Sequence, residues 1–421
     1  MKIFHQFVLA GAIASIFSFV SCHLQNAENT PDYDFEIQLY YPYGPRSAAA
    51  SAASLTAAMS LAEKAAQVLI VSPGHTTQAS EGFLRSLQDI PVGGVILLRA
   101  NMGTSAADLQ QFIGILQQAS RAAGSGIPLF ISLDHEGGTV FRLHGIASQL
   151  PDASLIGSGD MSRQAAYSLY KNAAAQLRLL GFSMNFAPIL EPLLPENSDF
   201  LRYRSYSADP DTVFYYGGAA AAAMQATGIL PVAKHFPGSG DGDPHFELPL
   251  FSPDADSIDH PALRAFVRAV REQNLPALMS AHVMAPGLDS RLPATVSPSI
   301  QTRLLRHEIG FSGLLITDDL HMRGMTIQYE PADAAVAALA AGADMLLAMG
   351  GGIDRIHRSI ITAVAAGELE ESRLDEATAR ILEHKLRLDL WRRSEPEQFS
   401  PRSIDKRTTQ LTELQQSVQQ Q

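Results

Sequence analysis

Cysteine is nearly absent from this sequence, since Cys22 is the only one among 421 residues. A single cysteine excludes any disulfide bond within the chain. Basic residues are also scarce: 31 Lys and Arg against 43 Asp and Glu give a net charge of −12. That balance argues against a nucleic-acid partner, because binding to a phosphate backbone requires a basic surface. Long apolar runs are missing beyond the N-terminus, and an apolar share of 46% predicts a globular protein with a large core.

The N-terminal residues 1–22 have the pattern of an export signal. Lys2 supplies a positive charge, Phe7 to Val20 is apolar, and Ser21 and Cys22 follow. The apolar run is shorter than a transmembrane helix needs. Phe19-Val20-Ser21-Cys22 resembles the lipobox of bacterial lipoproteins, with Phe19 in place of the usual aliphatic residue. We therefore expect export, with a lipid anchor at Cys22 as the only membrane contact. The alternative is an ordinary cysteine in a cleaved signal, giving a periplasmic or secreted protein.

Two flanking segments have low complexity or polar composition. Residues 23–55 end in a run of alanine and serine, which we interpret as a spacer, with an alanine-rich helix as the alternative. Residues 396–421 are rich in Gln, Ser and Thr, so we expect a frayed or disordered polar tail. The catalytic domain is expected to span residues 56–395.

Between these segments, apolar runs alternate regularly with helical patterns. Such alternation predicts an α/β fold whose parallel strands are covered on both faces, and eight strands close a (β/α)8 TIM barrel. A doubly wound open sheet is the alternative. The predicted helices include 106–122, 163–180, 261–273 and 332–341. The eight predicted strands are residues 68–72, 93–99, 128–133, 184–189, 231–235, 277–282, 313–317 and 343–348.

Polar residues follow the third to the seventh predicted strand. In barrel enzymes the chemistry is carried by residues at the carboxyl ends of the strands and in the loops that follow. One polar strand end is unremarkable, but a consecutive series indicates an active site. The residues are Asp134, Glu136, Asn185, Glu191, Lys234, His235, His282, Asp318 and Asp319.

At this point the chain resembles a known family, glycoside hydrolase family 3, in its single-barrel β-N-acetylglucosaminidase branch. The resemblance covers about residues 57 to 390 and includes several motifs in the order typical of the family. They are Asp134-His135-Glu136-Gly137-Gly138, Asn185-Phe186-Ala187-Pro188, Arg204-Ser205-Tyr206, Lys234-His235-Phe236-Pro237-Gly238, Met279-Ser280-Ala281-His282-Val283, Leu292-Pro293-Ala294-Thr295, Gly310-Phe311-Ser312-Gly313 and Thr317-Asp318-Asp319-Leu320.

The resemblance implies a retaining β-N-acetylhexosaminidase with Asp318 as its nucleophile. Asp318 directly follows an apolar strand, so its carboxylate is expected at the mouth of the barrel. Retaining glycosidases need such a carboxylate to form a covalent glycosyl-enzyme. The residues alone do not separate Asp318 from Asp319, and either aspartate also suits a helix N-cap. For Asp319 the N-cap is the preferred interpretation.

The resemblance further implies that a histidine, and not a second carboxylate, transfers the protons. The matching pair is Asp243 and His245, in the loop after Lys234 and His235. Imidazole suits this task because its unperturbed pKa lies near neutrality, and a carboxylate partner fixes its tautomer. The Asp-X-His spacing of the family is kept as Asp243-Pro244-His245. Three features depart from the family pattern: Ser239 replaces a histidine, the loop is about two residues shorter, and the residue between the pair is a proline, which is expected to stiffen the loop. A solvent-exposed loop histidine is the alternative for His245.

The remaining polar residues are interpreted as sugar ligands. By resemblance, Asp134 accepts hydrogen bonds from sugar hydroxyls, and four cationic side chains donate to them. Thr139 replaces one arginine of the family pattern. For Asn185, Glu191 and His282 a structural role is at least equally expected. The four cationic donors are Arg142, Arg204, Lys234 and His235.

The sequence also bears on several other functions. A zinc hydrolase built on His235, His282 and Asp318 is disfavoured because neither His-X-His nor His-Glu-X-X-His occurs where such enzymes need it. We expect no metal and no cofactor, and a small glycan as the only partner. A family 3 β-glucosidase is disfavoured because that branch takes its acid/base from a domain after the barrel. Phosphorolysis and a sugar-binding lipoprotein without activity stay open. Muropeptides carrying N-acetylglucosamine and chitin fragments are the expected substrates.

Overall fold

The computed structural model describes residues 45–251, 258 and 260–419. The expected signal segment 1–22, including Cys22, and residues 23–44 of the expected spacer lie outside the described residues. Within the described part of the chain, no helix combines the length and apolar character that crossing a bilayer requires.

Short, fully buried strands form the centre of the molecule, and each of the eight predicted strands coincides with one of them. The fifth is split into two pieces, β5 and β6. The described strands are β1 (Leu69–Val71), β2 (Gly94–Ile96), β3 (Phe130–Leu133), β4 (Met184–Asn185), β5 (Leu230–Pro231), β6 (Ala233–Phe236), β7 (Ala277–Ser280), β8 (Leu314–Thr317) and β9 (Leu346–Ala348).

All strand pairs are parallel, and they follow the order of the chain. One sheet runs β5-β4-β3-β2-β1-β9 and the other β6-β7-β8. Single parallel bridges join the two sheets on both sides, from Ile189 to Lys234 and from Ile316 to Met345. The predicted α/β class with a parallel sheet is therefore confirmed. We interpret the cyclic order, in which β9 pairs with β1, as the barrel expected from the strand count.

Helices cover the outer faces of the strands, and their ends follow local sequence signals. The predicted helix 163–180 occurs with those bounds: the Ser162 hydroxyl caps the first turn, and Gly181 ends the helix in a left-handed conformation. An 11-residue π-helix spans Ser299–Ile309. The α-helices are α1 (Pro45–Ala58), α2 (Leu61–Gln67), α3 (Glu81–Asp89), α4 (Ala106–Arg121), α5 (Ala153–Ser158), α6 (Arg163–Leu180), α7 (Ser198–Leu201), α8 (Pro210–Ala226), α9 (Pro261–Gln273), α10 (Arg323–Thr326), α11 (Pro331–Ala341), α12 (Ile353–Ala365), α13 (Glu371–Arg387), α14 (Leu390–Arg393) and α15 (Pro401–Gln419).

Both flanking segments contain helices where a spacer and a disordered tail were expected. Residues 45–55 belong to α1, which packs on α13 and buries Ala48 and Ala52, so the alanine-rich helix is the correct alternative there. The tail folds as α15 against α6 and α4 and buries Ile404 and Leu411. Two apolar residues seven positions apart occupy one face of a helix, and burying that face against the domain stabilises an otherwise polar segment.

Candidate active site

The polar side chains that follow the strands gather at one end of the sheet. Asp134 and Glu136 follow β3, Lys234 and His235 lie within β6, and Asp318 follows β8. Because all these strands are parallel, their carboxyl ends lie on the same side of the molecule. The sequence order of strands and polar residues therefore produces a single cluster.

A four-residue network of opposite charges forms the first part of the cluster. Lys234 Nζ lies 2.6 Å from Asp134 Oδ1 and 2.7 Å from Glu136 Oε1. Arg204 donates to both Glu136 oxygens, at 2.8 Å from Nε and 2.9 Å from Nη2. Side-chain exposure is 22% for Asp134 but only 6% for Glu136. Asp134 therefore has a surface left for a ligand, whereas Glu136 holds the two cations in place.

The charges in this network stabilise one another. Burial alone would raise the pKa of Glu136, but the adjacent Arg204 and Lys234 hold that pKa well below its ordinary value. Burial opposes the charged form of Lys234 in the same way, and the attraction of Asp134 and Glu136 outweighs it, so the pKa of Lys234 is raised. Glu136 and Lys234 thus stay ionised near neutral pH, and the network contains hydrogen-bond donors and acceptors that are fixed in position.

His235 is oriented by a buried glutamate. Its Nδ1 lies 2.6 Å from Glu191 Oε1, which also accepts from the His235 amide at 3.0 Å. The second oxygen of Glu191 accepts from the amide of Ser239. Burial raises the pKa of Glu191, but the bonds and charge of His235 lower it further than burial raises it. An ionised carboxylate can only accept, so Nδ1 of His235 donates to it and Nε2 is left for a ligand.

Asp318 is held in a defined orientation at the end of β8. Its Oδ1 accepts a 2.8 Å hydrogen bond from the Asp319 amide. Burial alone would raise the pKa of Asp318, but neighbouring His282 and His235, together with that amide and Lys234, lower it. The carboxylate is therefore ionised at neutral pH, as a nucleophile must be.

Two residues beside Asp318, His282 and Asp319, form hydrogen bonds to other parts of the fold. His282 is buried, with Nδ1 2.7 Å from the Thr295 hydroxyl and Nε2 2.9 Å from the Asp319 carbonyl, to which it donates. Asp319 Oδ1 accepts from the Met349 amide at 2.9 Å. This contact differs from the expected helix N-cap, since Asp319 ties the loop after β8 to the end of β9. Asn185 likewise bonds both the amide and the carbonyl of His135.

Asp243 and His245 come together in a tight turn. Asp243 Oδ1 accepts from the His245 amide at 2.9 Å and lies 2.7 Å from Nδ1 of its ring. The Phe246 amide donates to the Asp243 carbonyl at 2.9 Å. Asp followed by Pro is typical of such turns, because the carboxylate bonds the backbone two residues on and Pro244 presets φ. Proline at position 244 therefore supports the contact between Asp243 and His245. The imidazole is 61% exposed.

The cavity beside Asp318 is very small. It measures about 10 Å³ and is lined by Pro244, His235, His282 and Asp318, among others. Asp243 and His245 are not among the described residues that line it. Pro244, which belongs to the turn, lines this cavity, so the position of the turn affects the space beside Asp318.

Arg142 was predicted as a sugar ligand, but among the described residues its side chain forms no bond to the charged cluster. Its amide donates to His135 Nδ1 at 3.4 Å, and its buried Nε has no hydrogen-bond partner among the described residues. Within the same part of the chain, no group of three or more His, Cys, Asp or Glu side chains is arranged to hold a metal ion.

Sequence reasoning missed the role of two residues. Glu136 was predicted among the polar residues at the strand ends, but not as the residue that bonds both Lys234 and Arg204. Glu191 was expected to be structural at least as much as functional, and it orients His235, a proposed sugar ligand. Both residues lie just after predicted strands, and this position indicated that they belong to the site. Their partners are distant in the sequence, so no sequence pattern indicated which residues they bond.

Comparison with known proteins identifies the family of the chain. The model of the glycosyl hydrolase family 3 N-terminal domain matches residues 60–384. The chain is 32% identical over 327 residues to beta-hexosaminidase A of Pseudoalteromonas piscicida, covering 70% of this chain and 54% of that protein. It is 33% identical over 287 residues to a beta-hexosaminidase of Idiomarina loihiensis, covering 67% and 83%.

Two solved structures are similar over most of the chain. A family 3 beta-N-acetylglucosaminidase from Paenibacillus sp. str. FPU-7 superposes with a TM-score of 0.73 at 32% identity, covering 79% of this chain and 63% of that one. LpqI of Mycobacterium tuberculosis gives a TM-score of 0.69 at 28% identity, covering 78% and 95%.

These likenesses support a glycosidase. The chain belongs to glycosyl hydrolase family 3. It spans about half the length of the Pseudoalteromonas relative.

Proposed function

We propose that the protein is a retaining exo-β-N-acetylhexosaminidase that releases terminal β-linked N-acetylglucosamine from peptidoglycan fragments or chitooligosaccharides. The observation that carries this proposal is the ionised carboxylate of Asp318, held by the Asp319 amide at the end of β8. The printed names of the relatives, beta-hexosaminidase and beta-N-acetylglucosaminidase, supply the substrate class.

In the first step, the free oxygen of Asp318 attacks the anomeric carbon of the sugar. The bond from that carbon to the leaving oxygen breaks as the bond to Asp318 forms, and His245 donates a proton to the departing oxygen. The Asp319 amide holds the second carboxylate oxygen throughout. The products of the step are a glycosyl ester on Asp318 and the leaving group with a free hydroxyl.

In the second step, water replaces the leaving group. His245, now neutral at one ring nitrogen, takes a proton from the water as its oxygen attacks the anomeric carbon. The ester bond breaks, Asp318 regains its negative charge, and the sugar leaves with its β configuration retained. The 2.7 Å contact with Asp243 supports this role, because a carboxylate at Nδ1 leaves Nε2 for the proton transfers and stabilises the imidazolium.

The charged network next to Asp318 is proposed to bind the terminal sugar. Asp134 accepts from two neighbouring hydroxyls, while Lys234, His235 and Arg204 donate to them. The salt bridges to Glu136 and the hydrogen bond that His235 donates to Glu191 hold these donors in place before the substrate arrives, which lowers the ordering cost on binding. Arg142, whose Nε has no hydrogen-bond partner in the part of the chain that the structure describes, is proposed to complete the set in the bound state.

The same proposal includes export with a lipid anchor at Cys22, supported by the apolar run from Phe7 to Val20. An exported enzyme meets cell-wall or environmental glycans outside the cytoplasm. Mass spectrometry of the N-terminal peptide tests the anchor: we expect acyl chains on Cys22 and none in a Cys22→Ser variant. An unmodified, cleaved N-terminus would overturn it.

Hydrolysis of a chromogenic β-N-acetylglucosaminide tests the activity. We expect release of the chromophore by the wild type, the same rate with and without inorganic phosphate, and no detectable release by Asp318→Asn. A rate that depends on added phosphate would indicate phosphorolysis. Wild-type protein that binds the sugar without releasing chromophore would overturn the enzymatic proposal.

A further inference from the structure

A second and much larger cavity lies at the opposite end of the sheet. It measures about 810 Å³ and is bordered by the residues just before β4, by the C-terminal end of α8 and by α15. Gly181 and Ser183 precede β4, and Ala226 and Thr227 precede β5. This cavity therefore lies at the amino ends of the strands, whereas Asp318 and the charged network lie at their carboxyl ends.

The charges that line this cavity have one sign. Among the described residues that line it, five side chains are cationic and none is acidic. The protein as a whole has a net charge of −12, so this concentration of positive charge runs against the general balance. Like charges brought together at one concave surface repel one another, and a bound anion would offset that repulsion. Arg392 already pairs with Asp389, with 2.5 Å between Nε and Oδ2. The five are Arg178, Arg392, Arg393, Lys406 and Arg407.

Arg407 has a donor, Nε, for which the described part of the chain provides no acceptor. Its Nη2 donates to the Gln398 carbonyl at 2.5 Å and its guanidinium lies 5.2 Å from the centre of the Phe399 ring, but its buried Nε has no partner among the described residues. Burial lowers the pKa of Arg407 to about 10. Arg407 is half-buried and lines the cavity, so its charge favours an anion that enters there.

The neighbouring guanidinium groups are fixed in advance. Arg178 donates to the Thr227 carbonyl at 2.9 Å and Arg393 to the Gly228 carbonyl at 2.7 Å. These carbonyls lie at the C-terminal end of α8, where cations are favoured. Two arginines are thus held at one wall of the cavity, facing α15 with Lys406 and Arg407.

We propose that this cavity binds an organic anion carrying two or more phosphate or carboxylate groups. Guanidinium groups match the geometry of both oxyanions with paired hydrogen bonds, which explains the preference for arginine here. Several cations around about 810 Å³ require more than one anionic group. Leu179, Leu390 and Leu414 also line the cavity and suit the apolar part of such a ligand.

Calorimetric titration of the full chain tests the proposal, with tripolyphosphate as the phosphate probe and citrate as the carboxylate probe at matched ionic strength. We expect saturable binding of one anion per chain by at least one probe, and the better probe identifies the source of the charge. Arg407→Gln should weaken binding about tenfold or more, and Lys406→Gln severalfold, since each removes a charged contact.

Arg402→Gln is the matched control, because Arg402 is an exposed cation on the same helix but does not line the cavity. It should bind as the wild type does. Asp318→Asn should also bind the anion normally, because the two sites lie at opposite ends of the strands. If Arg407→Gln does not fold, the anion affinities of Lys406→Gln and Arg402→Gln are compared, and the proposal requires weaker binding by Lys406→Gln. No saturable binding by either probe, or equal weakening by the control, would overturn the proposal.

Discussion

The amide of Gly324 donates a 2.8 Å hydrogen bond to the carbonyl of Pro244. This bond joins the turn that carries Asp243 and His245 to α10, the short helix that follows β8 and Asp318. The proposed nucleophile and the proposed acid/base are thus connected through one backbone contact. Pro244 also lines the small cavity beside Asp318, so a displacement of this contact would change the space at the proposed nucleophile.

Gly324→Ala is expected to disturb that contact. A Cβ at this position would lie 3.0 Å from the Glu247 carbonyl and 3.2 Å from the Pro244 carbonyl, so the turn has to move by a few tenths of an ångström. We expect kcat to fall about tenfold, because small displacements of a catalytic group are costly. Gly82→Ala is the control, since its Cβ would meet only Ser80 at 3.9 Å. An unchanged kcat in Gly324→Ala would contradict the role of the turn.

Loss of the imidazole should affect the two steps differently. His245→Gln is expected to lower kcat by about 10²–10⁴ on a substrate with a poor leaving group, which needs protonation. With a dinitrophenyl leaving group the first step needs no acid, so the ester on Asp318 should accumulate and produce a burst. Asp243→Asn should show the same pattern more weakly. His307→Gln, which alters an exposed histidine on the π-helix, is the control. A loss in His245→Gln that is equal for both leaving groups would contradict proton donation.

The charged network has a consequence for stability. Because the pKa of Glu136 is held below its ordinary value of 4.5, the ionised network stabilises the fold above that pH and loses this effect as the pH falls. Glu136→Gln should therefore cost about 3 kcal/mol at pH 7, by leaving Lys234 and Arg204 without their shared partner. The difference from the wild type should shrink below about pH 4.5.

Urea unfolding of both proteins at pH 7 and at pH 3.5 measures this difference. Glu81→Gln is the matched control, since Glu81 is exposed and lies 3.9 Å from Arg85 across a weak surface pair. It should change the free energy of unfolding by less than about 0.5 kcal/mol. A constant penalty for Glu136→Gln at both pH values would mean that its charge does not matter.

Features that depend on neighbouring residues were predictable from the sequence. The helix from Arg163 to Leu180 begins and ends where Ser162 and Gly181 indicate, and the parallel strands follow from buried apolar runs. The turn at Asp243 is also local, since its carboxylate bonds a residue two positions away. For the helix and the turn, the determining contacts lie within a few residues along the chain.

Contacts between distant residues could not be predicted. Glu136 bonds Arg204 from 68 positions away, and Glu191 bonds His235 from 44. Periodicity places such residues at strand ends but gives no distance between them. The helix from Pro401 to Gln419 was missed for a related reason, because its polar composition hides the single face that packs on the domain. The large basic cavity depends on that helix.

The proposed covalent bond to Asp318 can be observed directly. Incubation with a slow fluorinated aminosugar substrate, followed by proteolysis and mass spectrometry, locates any attached sugar. The account predicts one sugar on the peptide containing Asp318 and no adduct in Asp318→Asn. A sugar attached to another side chain, or steady turnover of substrate by Asp318→Asn at the wild-type rate, would contradict it.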